Sequence, residues 1–286
     1  MKLNFGLAAV LIGCALALPA SAQQDFSAVE IKATRVAKNI YMLEGSGGNI
    51  GVSVGSDGLL MVDNQFAPLA GKIEAALKTL GQGKLKFILN THFHGDHTGG
   101  NAHFGQQAPI IAQTNVRRRL GRGAGEALPV ITFDQSLSLH FNGEEIKMVH
   151  VGPGHTDSDS IILFTGANVV HTGDSFFCGR FPNIDLGGGG DVRGFIKNVE
   201  EMISKIPPDA KIIPGHGPLA NLDDMKKFHA MLQETTAIVE RAMQAGKTLE
   251  QIKADGLPEK FKSWEAKTLN TGRWLEILHA GLSKKP

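Results

Sequence analysis

The chain has few cysteines, little excess charge and no apolar run long enough to be a confident membrane span. With Cys14 and Cys178 as its two cysteines, it cannot be held together by several disulfides. Its 29 basic residues nearly balance 28 acidic ones, which gives no support to a nucleic-acid or membrane-surface partner. Internal repeats and low-complexity tracts are also lacking. What remains is a globular chain of 286 residues, enough for one large domain or two small ones.

Residues 1–22 have the pattern of a secretory signal peptide. Lys2 supplies the positive charge, Leu7–Leu18 supplies the apolar run, and Ala20-Ser21-Ala22 fits a cleavage site between small residues. The apolar run is too short to be a confident membrane span. We therefore expect cleavage after Ala22 and export, with a bacterial periplasm as the destination.

Cys14 allows a second interpretation of the same segment. Leu11-Ile12-Gly13-Cys14 resembles a lipoprotein box, in which the cysteine is acylated and anchors the protein to a membrane. The residues after Cys14 remain apolar, which favours a cleaved signal and a protein without a membrane anchor. Cleavage after Ala22 would leave Cys178 as the only cysteine, so no intrachain disulfide would form.

Apolar runs separated by glycine, proline and polar turns predict a domain of mixed strands and helices, followed by a helical segment. Strands are predicted at Val36–Leu43, Ile50–Val54, Leu59–Val62, Leu85–Leu89, near Ile110-Ile111, and at Phe133–Phe141, Glu145–Val151, Ser160–Phe164, Asn168–His171 and Lys211–Ile213. Helices are predicted at Ala70–Leu80, Asn115–Leu120 and Asp191–Ile206, and then from Leu222, from Thr248 and near Gly272. These patterns divide the expected mature chain into a domain over residues 23–221 and a C-terminal helical extension over residues 222–286.

The most informative segment lies directly after the predicted strand that ends at Leu89. His92, His94, Asp96 and His97 place four potential metal ligands within six residues. His92 and His94 are two residues apart, so their side chains point the same way where the strand ends. Imidazole nitrogen and carboxylate oxygen form a ligand set suited to Zn²⁺ without any thiol. The segment therefore predicts a metal site rather than a polar loop.

This segment also carries a resemblance to a known family. His92-Phe93-His94-Gly95-Asp96-His97 resembles the His-x-His-x-Asp-His signature of the metallo-β-lactamase superfamily, and the resemblance extends from about Val36 to about Gly217. It implies an α+β fold of four layers, an αβ/βα sandwich of two sheets flanked by helices. Trp264 and Trp274 of the C-terminal extension are expected to pack over this sandwich, with a dimer face as the alternative.

The resemblance implies two metal ions and assigns seven ligands to them. The first ion would be held by His92, His94 and His155, the second by Asp96, His97 and His216, and Asp174 would bridge the two. Two Zn²⁺ per chain are expected, with iron or manganese as alternatives. Asp96 would also orient the attacking hydroxide and accept its proton.

Further residues are expected to support this centre or to contact the substrate. Asp63 is expected to hydrogen-bond to the metal loop, and Asp157 or Asp159 to fix the ring of His155, whereas His171 is expected to be a core residue. Substrate contacts are expected from a flap at Gly45–Asn49 and from a wall that contains Arg180 and Asn183. Arg180 is expected either to grip a substrate carboxylate or to be an ordinary solvent-exposed arginine.

These residues together predict a zinc-dependent hydrolase in which a metal-bound hydroxide opens an amide or ester bond of a small molecule. Export favours a β-lactam substrate. Asp174 favours a thioester or a lactone, because β-lactamases of the superfamily usually carry Cys or Ser at that position. An iron-dependent sulfur dioxygenase and a non-catalytic binding protein are the remaining alternatives. The sequence leaves the oligomeric state open.

Overall fold

The structure is a computed structural model that describes residues 25–121 and 127–283. The predicted signal peptide and Cys14 lie outside the described residues. Within those two ranges, none of the helices is both long and apolar enough to cross a membrane.

The first half of the chain forms a sheet of seven strands that follow one another in sequence order. The strands are β1 (Lys32–Ala37), β2 (Ile40–Glu44), β3 (Ile50–Gly55), β4 (Gly58–Val62), β5 (Leu85–Asn90), β6 (Ile110–Gln113) and β7 (Ile131–Phe133). Strands β1 to β4 are antiparallel, and β4 to β7 are parallel. The parallel strands all end at the same edge of the sheet, where the chain enters the loop that carries His92 and His94.

The second half of the chain forms a sheet of five strands in the order β12-β11-β10-β9-β8. The strands are β8 (Ser136–Phe141), β9 (Glu144–His150), β10 (Ser160–Phe164), β11 (Val169–His171) and β12 (Lys211–Ile213). Only the pairing of β11 with β12 is parallel. His171 and Ile213 pair with each other, so these two strands end side by side.

Helices surround the two sheets and connect their parallel strands. They are α1 (Ala70–Leu80), α2 (Gly95–Thr98), α3 (Asn101–Phe104), α4 (Thr114–Leu120), α5 (Val192–Lys205), α6 (Leu222–Gln244), α7 (Leu249–Asp255) and α8 (Thr271–Ser283). Short 3-10 helices lie at Ala67–Leu69, Gly173–Ser175 and Glu259–Trp264. Asn221 and Thr248 cap α6 and α7 with reciprocal side-chain and backbone hydrogen bonds, as expected of residues that begin a helix.

Three apolar clusters stack the helices and sheets into four layers. Between the sheets, Leu60 of the first packs in one cluster with Met148 of the second. The outer face of the seven-stranded sheet packs against Ile73 of α1. The outer face of the five-stranded sheet packs against α5, α6 and α8, with Phe228 and Trp274 fully buried. The predicted α+β sandwich with a C-terminal helical extension is confirmed.

Two predicted strands are wrong in their extent. The segment Val36–Leu43 is a hairpin, in which Ala37 pairs with Ile40 and Lys38 adopts a φ of 41° in the turn. The segment Phe133–Phe141 contains two strands that belong to different sheets, because the chain crosses over at residues 134–135. Neither break carries glycine or proline, and the turn formers Asn39 and Asp134 are the only local signals for them.

The C-terminal extension packs against the domain rather than presenting its tryptophans to a partner. The indole Nε1 of Trp274 donates a hydrogen bond to Thr235 Oγ1 of α6 at 3.1 Å. The Trp274 ring also stacks on Phe181, with ring centroids 5.7 Å apart and planes at 16°. Trp264 is half-buried and lies 6.3 Å from the ring of Phe228.

Candidate metal centre

The predicted ligands lie at strand ends of both sheets. His92, His94, Asp96 and His97 follow β5, where α2 begins after His94. His155 lies in the turn between β9 and β10, Asp174 lies in the 3-10 helix after β11, and His216 lies in the turn after β12. A strand fixes the backbone on at least one side of each ligand segment, so the side chains meet where the two sheets face each other.

The first group consists of His92, His94, His155 and Asp174, whose ligand atoms lie within 4.8 Å of one another. His155 Nε2 lies 2.8 Å from His94 Nδ1 and 3.2 Å from His92 Nε2. Asp174 Oδ2 lies 3.3 Å from His155 Nε2. Three ring nitrogens and one carboxylate oxygen therefore converge on one point.

The second group consists of Asp96, His97 and His216. His216 Nε2 lies 3.3 Å from Asp96 Oδ2. Asp174 contacts this group too, because its Oδ1 lies 3.1 Å from His97 Nε2 and 3.4 Å from His216 Nε2. The two oxygens of Asp174 thus face different groups, and the structure brings together all seven predicted ligands.

The outer nitrogens of His92 and His97 are held by one buried hydrogen-bond network. His97 Nδ1 donates to Asp63 Oδ2 at 2.7 Å. Asp63 also accepts from Thr91, from its backbone N–H at 2.8 Å and from its hydroxyl at 2.7 Å. The Thr91 hydroxyl oxygen in turn lies 3.0 Å from His92 Nδ1. Asp63 therefore hydrogen-bonds to the ligand loop, as the sequence predicts.

The ring of His155 is held by a different group from the one expected. Its Nδ1 donates to the backbone carbonyl of Asn183 at 2.7 Å. Asp159 instead accepts hydrogen bonds from the N–H and hydroxyl of Thr156, and Asp157 pairs with Arg119 at 2.6 Å. The prediction for Asp157 or Asp159 is wrong because both carboxylates are directed away from the ring by these closer donors.

Asp185 is a supporting residue that the sequence analysis missed. Its Oδ2 lies 3.0 Å from His94 Nε2, and its Oδ1 accepts from the N–H of Gly188 at 2.8 Å. The carboxylate therefore directs His94 Nδ1 towards the ligand group. The only sequence signal is an acidic residue shortly before four glycines, and that pattern does not indicate which histidine it contacts.

The hydrogen bonds just described favour the tautomer in which the inner nitrogens of four histidines offer lone pairs and point at one another. Lone pairs at such distances repel, so a cation bound between them would stabilise the arrangement. In addition, His97 Nε2 and Asp174 Oδ1 are buried and, although 3.1 Å apart, form no well-aligned hydrogen bond with each other or with another described residue. An all-nitrogen-and-oxygen donor set of this kind fits Zn²⁺.

The charges of the buried groups lead to the same conclusion. Burial lowers the pKa of His155 to about 4 and that of His92 well below its usual value. Burial acts to lower the pKa of His216 also, but Asp174 outweighs it and raises that pKa to about 9. Desolvation opposes the charged form of Asp174, but neighbouring imidazoles led by His216 and His97 hold its pKa well below the usual range. The Asp174 carboxylate thus needs nearby positive charge, which a bound cation would supply in place of protonated imidazoles.

The Gly45–Asn49 turn, expected to be a flap over the centre, is hydrogen-bonded to the ligand loop. Gly48 donates its N–H to the Asp96 carbonyl at 3.0 Å, and its own carbonyl accepts from Gln65 Nε2 at 2.8 Å. A Cβ on Gly48 would collide with the imidazole of His97. Only a glycine fits this close approach, and the Gly47–Asn49 end of the turn forms a wall of the site.

Asn49 connects this wall to the turn that carries His216. Its backbone N–H donates to Gly215 O at 2.7 Å, and its side-chain amide donates to the carbonyls of Pro214 at 2.9 Å and Gly217 at 2.8 Å. Its own carbonyl oxygen lies 3.0 Å from Nε2 of the buried His171, which is a core residue as predicted. Asn49, like Asp185, was not singled out from the sequence.

The centre opens into a cavity of about 820 Å³. Phe177 lines it and stacks on His216, with ring centroids 5.3 Å apart and planes at 15°. Arg180 and Asn183, the predicted substrate contacts, also line the cavity, although Asn183 already uses its carbonyl to hold His155. The volume is in the range of cavities that enclose small molecules.

Comparison with known proteins identifies the family. The sequence profile of the metallo-beta-lactamase superfamily matches residues 34–216, a range that contains all seven ligands. The chain belongs to the metallo-beta-lactamase superfamily. Its place in this superfamily makes it a metal-dependent hydrolase.

Relatives within the superfamily carry different names. A hydroxyacylglutathione hydrolase of Gloeobacter violaceus is 28% identical over 200 residues, which cover 68% of this chain and 76% of the relative. A hydroxyacylglutathione hydrolase of Nitrosococcus oceani is 32% identical over 141 residues, and the chain spans about half the length of that relative, 49%. A metallo-beta-lactamase type 2 of Bacteroides fragilis is 22% identical over 134 residues, 47% of this chain and 54% of the relative.

Solved structures share the fold at low sequence identity. A metallo-beta-lactamase from Pontibacter korlensis matches with a TM-score of 0.63 at 16% identity. The match covers 71% of this chain and 99% of the Pontibacter korlensis chain. A double mutant of the sec-alkyl sulfatase PisA1 matches with a TM-score of 0.71 at 14% identity, covering 88% of this chain and 50% of its own. At these identities the likeness concerns the superfamily fold.

Proposed function

We propose that this superfamily member hydrolyses a thioester or ester of a small acyl compound with the help of two Zn²⁺. One ion would be held by His92, His94 and His155, and the other by Asp96, His97 and His216. Asp174 would contribute to both. The observation that carries the choice of substrate is Asp174, because its two oxygens face separate ligand groups at the position where β-lactamases usually have Cys or Ser. The names of the Gloeobacter violaceus and Nitrosococcus oceani relatives support the same substrate class.

When bound, Zn²⁺ polarises a scissile carbonyl and lowers the pKa of a coordinated water to about 7. The chain supplies the positioning around this chemistry. Asp96 lines the cavity with its side chain 26% exposed, so its carboxylate orients the attacking water and accepts its proton. Asp63, Asp185 and the Asn183 carbonyl keep the protons of three histidines on their outer nitrogens.

Aromatic side chains complete the substrate side of the site. Phe177 is buried against His216, and Phe66 lies across the cavity next to Gly47. They exclude water from the reacting carbonyl and offer an apolar surface to the acyl group. These two rings give the acyl group an apolar contact in a cavity whose other walls include metal ligands and arginines.

The test compares substrate classes on the same protein. Mature, zinc-loaded protein is assayed with an acyl thioester, an aryl ester, a lactone and a chromogenic cephalosporin, with and without chelator. We expect chelator-sensitive thioester or ester hydrolysis that falls at least about a hundredfold in Asp96→Asn, since proton transfer by a placed carboxylate contributes that much. Asp209→Asn, an exposed carboxylate far from the ligand loop in sequence, is the matched control and should retain full activity. Turnover of the cephalosporin alone would overturn the proposed substrate class and favour the β-lactam alternative.

We also propose export to the periplasm, on the strength of the signal pattern in residues 1–22. Expression of the full chain in a bacterium, followed by fractionation and N-terminal sequencing, is the test. A periplasmic protein that begins at Gln23 is expected. A cytoplasmic protein that retains Lys2 would contradict export, and a membrane-bound form lost on Cys14→Ser would establish lipidation instead.

A further inference from the structure

The cavity extends beyond the part of the chain that the superfamily profile matches. That match ends at residue 216, yet Ala266, Thr268, Leu269 and Arg273 of the C-terminal extension line the same cavity as Asp96 and His216. The extension therefore does more than cover the outer face of the five-stranded sheet. It supplies one wall of the substrate cavity, and the role of that wall is not assigned by the superfamily signature.

This wall is held in place by specific contacts. Phe181 donates its backbone N–H to the carbonyl of Trp264 at 2.8 Å and stacks on Trp274. Ala266 and Leu269 exchange two backbone hydrogen bonds of 3.0 Å, which close the turn that carries Thr268. The wall is thus fixed on both sides of Thr268, and a substrate meets a preformed surface.

Two arginines that line this cavity, Arg180 and Arg273, carry positive charge that the described residues do not fully neutralise. Arg180 makes no ion pair or hydrogen bond with any residue in the described ranges. Arg273 pairs with Glu276 at 2.9 Å, but Glu276 also pairs with Lys253 at 2.5 Å. One carboxylate is therefore shared by two cations, which leaves a net positive charge beside Arg273.

The acidic residues of the cavity do not cancel this charge. Asp96 and Asp174 belong to the ligand groups, and Glu44 lies 3.6 Å from Lys32. Apolar side chains, among them Phe181 and Leu269, line the same cavity as the arginines and the ligand groups. The cavity thus combines metal ligands, apolar side chains and two guanidinium groups.

We propose that the C-terminal extension builds an anion subsite in which Arg273, together with Arg180, binds a carboxylate at the far end of the acyl substrate. The apolar part of that substrate lies against Phe181 and Leu269. Guanidinium groups bind carboxylates through two parallel hydrogen bonds, which makes arginine the appropriate residue for this contact. The substrate class rests on the proposed function, whereas the binding of a carboxylate ligand does not.

The test uses two thioesters of equal length, one ending in a carboxylate and the other in a carboxamide. In Arg273→Met, KM for the carboxylate substrate should rise about tenfold with kcat little changed. The lost charge-assisted contact is made equally by the bound substrate and by the transition state. KM for the carboxamide should change less than about twofold. Arg273→Lys should recover part of the loss. Arg193→Met is the matched control, because Arg193 also pairs with a glutamate, Glu240, but lies outside the residues that line the cavity.

A second measurement separates failure of the subsite from failure of the proposed function. Calorimetry records binding of the carboxylate substrate's thioether analogue, which cannot be hydrolysed, to the zinc-loaded wild type and to Arg273→Met. Hydrolysis of both substrates with equal KM changes in Arg273→Met would overturn the subsite and leave the function standing. If the wild type hydrolysed neither thioester, the proposed function would be wrong. Weaker binding of the analogue to Arg273→Met than to the wild type would then still support the subsite. Equal binding of the analogue to the wild type and to Arg273→Met would overturn the subsite.

Discussion

Asn49 is a single residue that connects the two halves of the metal centre. It extends from the end of the β2–β3 turn to three backbone groups of the Pro214–Gly217 turn. In Asn49→Ala the buried carbonyl of Pro214 and the partly buried carbonyl of Gly217 lose their side-chain donor, which costs about 1–3 kcal/mol of unfolding free energy. We also expect weaker binding of the ion that His216 would hold, measured as a fall towards one Zn²⁺ per chain by elemental mass spectrometry.

Asn39→Ala is the matched control for this change. Asn39 also donates its side-chain amide to a backbone carbonyl, that of Val54 at 2.9 Å, but it contacts no ligand turn. It should retain the metal content of the wild type. If Asn49→Ala and Asn39→Ala held equal amounts of Zn²⁺, the role assigned to Asn49 would be wrong even if both were less stable.

Asp185 acts on a ligand through one hydrogen bond. Asp185→Asn keeps the shape of the side chain but replaces the anionic acceptor of the His94 Nε2–H. Loss of such a partner costs about 10- to 100-fold in metal affinity, and we expect that range here in a competition titration with a fluorescent chelator. Asp157→Asn, a neighbouring carboxylate that pairs with Arg119 instead, should leave metal affinity unchanged. Equal affinities for both variants would refute the positioning role of Asp185.

Gly48 and Gly71 give opposite predictions for the same substitution. Gly48→Ala places a methyl group against the His97 ring, so we expect loss of bound metal and of activity. Gly71→Ala meets open space in α1 and should stabilise the protein by up to about 1 kcal/mol. Metal content and thermal unfolding measure both effects. A Gly48→Ala variant that binds metal normally would show that the turn moves freely, as the flap interpretation requires.

At the scale of elements, strands and helices whose ends carry turn residues could be predicted from the sequence. The strand before the ligand loop begins and ends close to its predicted positions, because a buried apolar run marks it. The helix from Leu222 begins where predicted, with Asn221 as its cap. The breaks after Ala37 and Phe133 were not predicted, because single turn formers, Asn39 and Asp134, are a weak signal within a run of strand-forming residues. The same limit applies to the site: spacing in sequence indicates the ligands, whereas the contacts of Asn49 and Asp185 depend on chain segments 91 or more residues away.

The α8 helix depends most on one side chain, Trp274. In Trp274→Ala the removal of a fully buried indole from the cluster with α5 and α6 costs about 3–5 kcal/mol of unfolding free energy. Because the indole also stacks on Phe181, the loop that carries Asn183 and Asp185 should loosen and raise KM. Urea unfolding and steady-state kinetics measure both changes. Trp264→Ala removes a half-buried indole from the same extension and should lower the free energy of unfolding clearly less. An equal decrease in the two variants would contradict the packing role given to Trp274.

At the scale of the whole molecule, the ligands come from both sheets, so bound metal links the two halves of the sandwich. His92, His94, Asp96 and His97 follow a strand of the first sheet, whereas His155, Asp174 and His216 lie beside strands of the second. An ion that binds only the folded chain stabilises it by about 4 kcal/mol when its concentration is 1,000 times the dissociation constant. For a domain of this size that free energy corresponds to a Tm shift of roughly 10 °C.

We therefore expect chelation to lower the Tm by roughly 10 °C or more and added Zn²⁺ to restore it. Scanning calorimetry of the wild type measures this shift, with His97→Ala beside it. His97→Ala removes a predicted ligand of one group only, so its response to chelator should be smaller than that of the wild type but not zero. A wild-type Tm that chelator leaves unchanged would mean that the apolar layer between the sheets holds them alone, and that the convergence of ligands from both sheets serves the reaction without stabilising the fold.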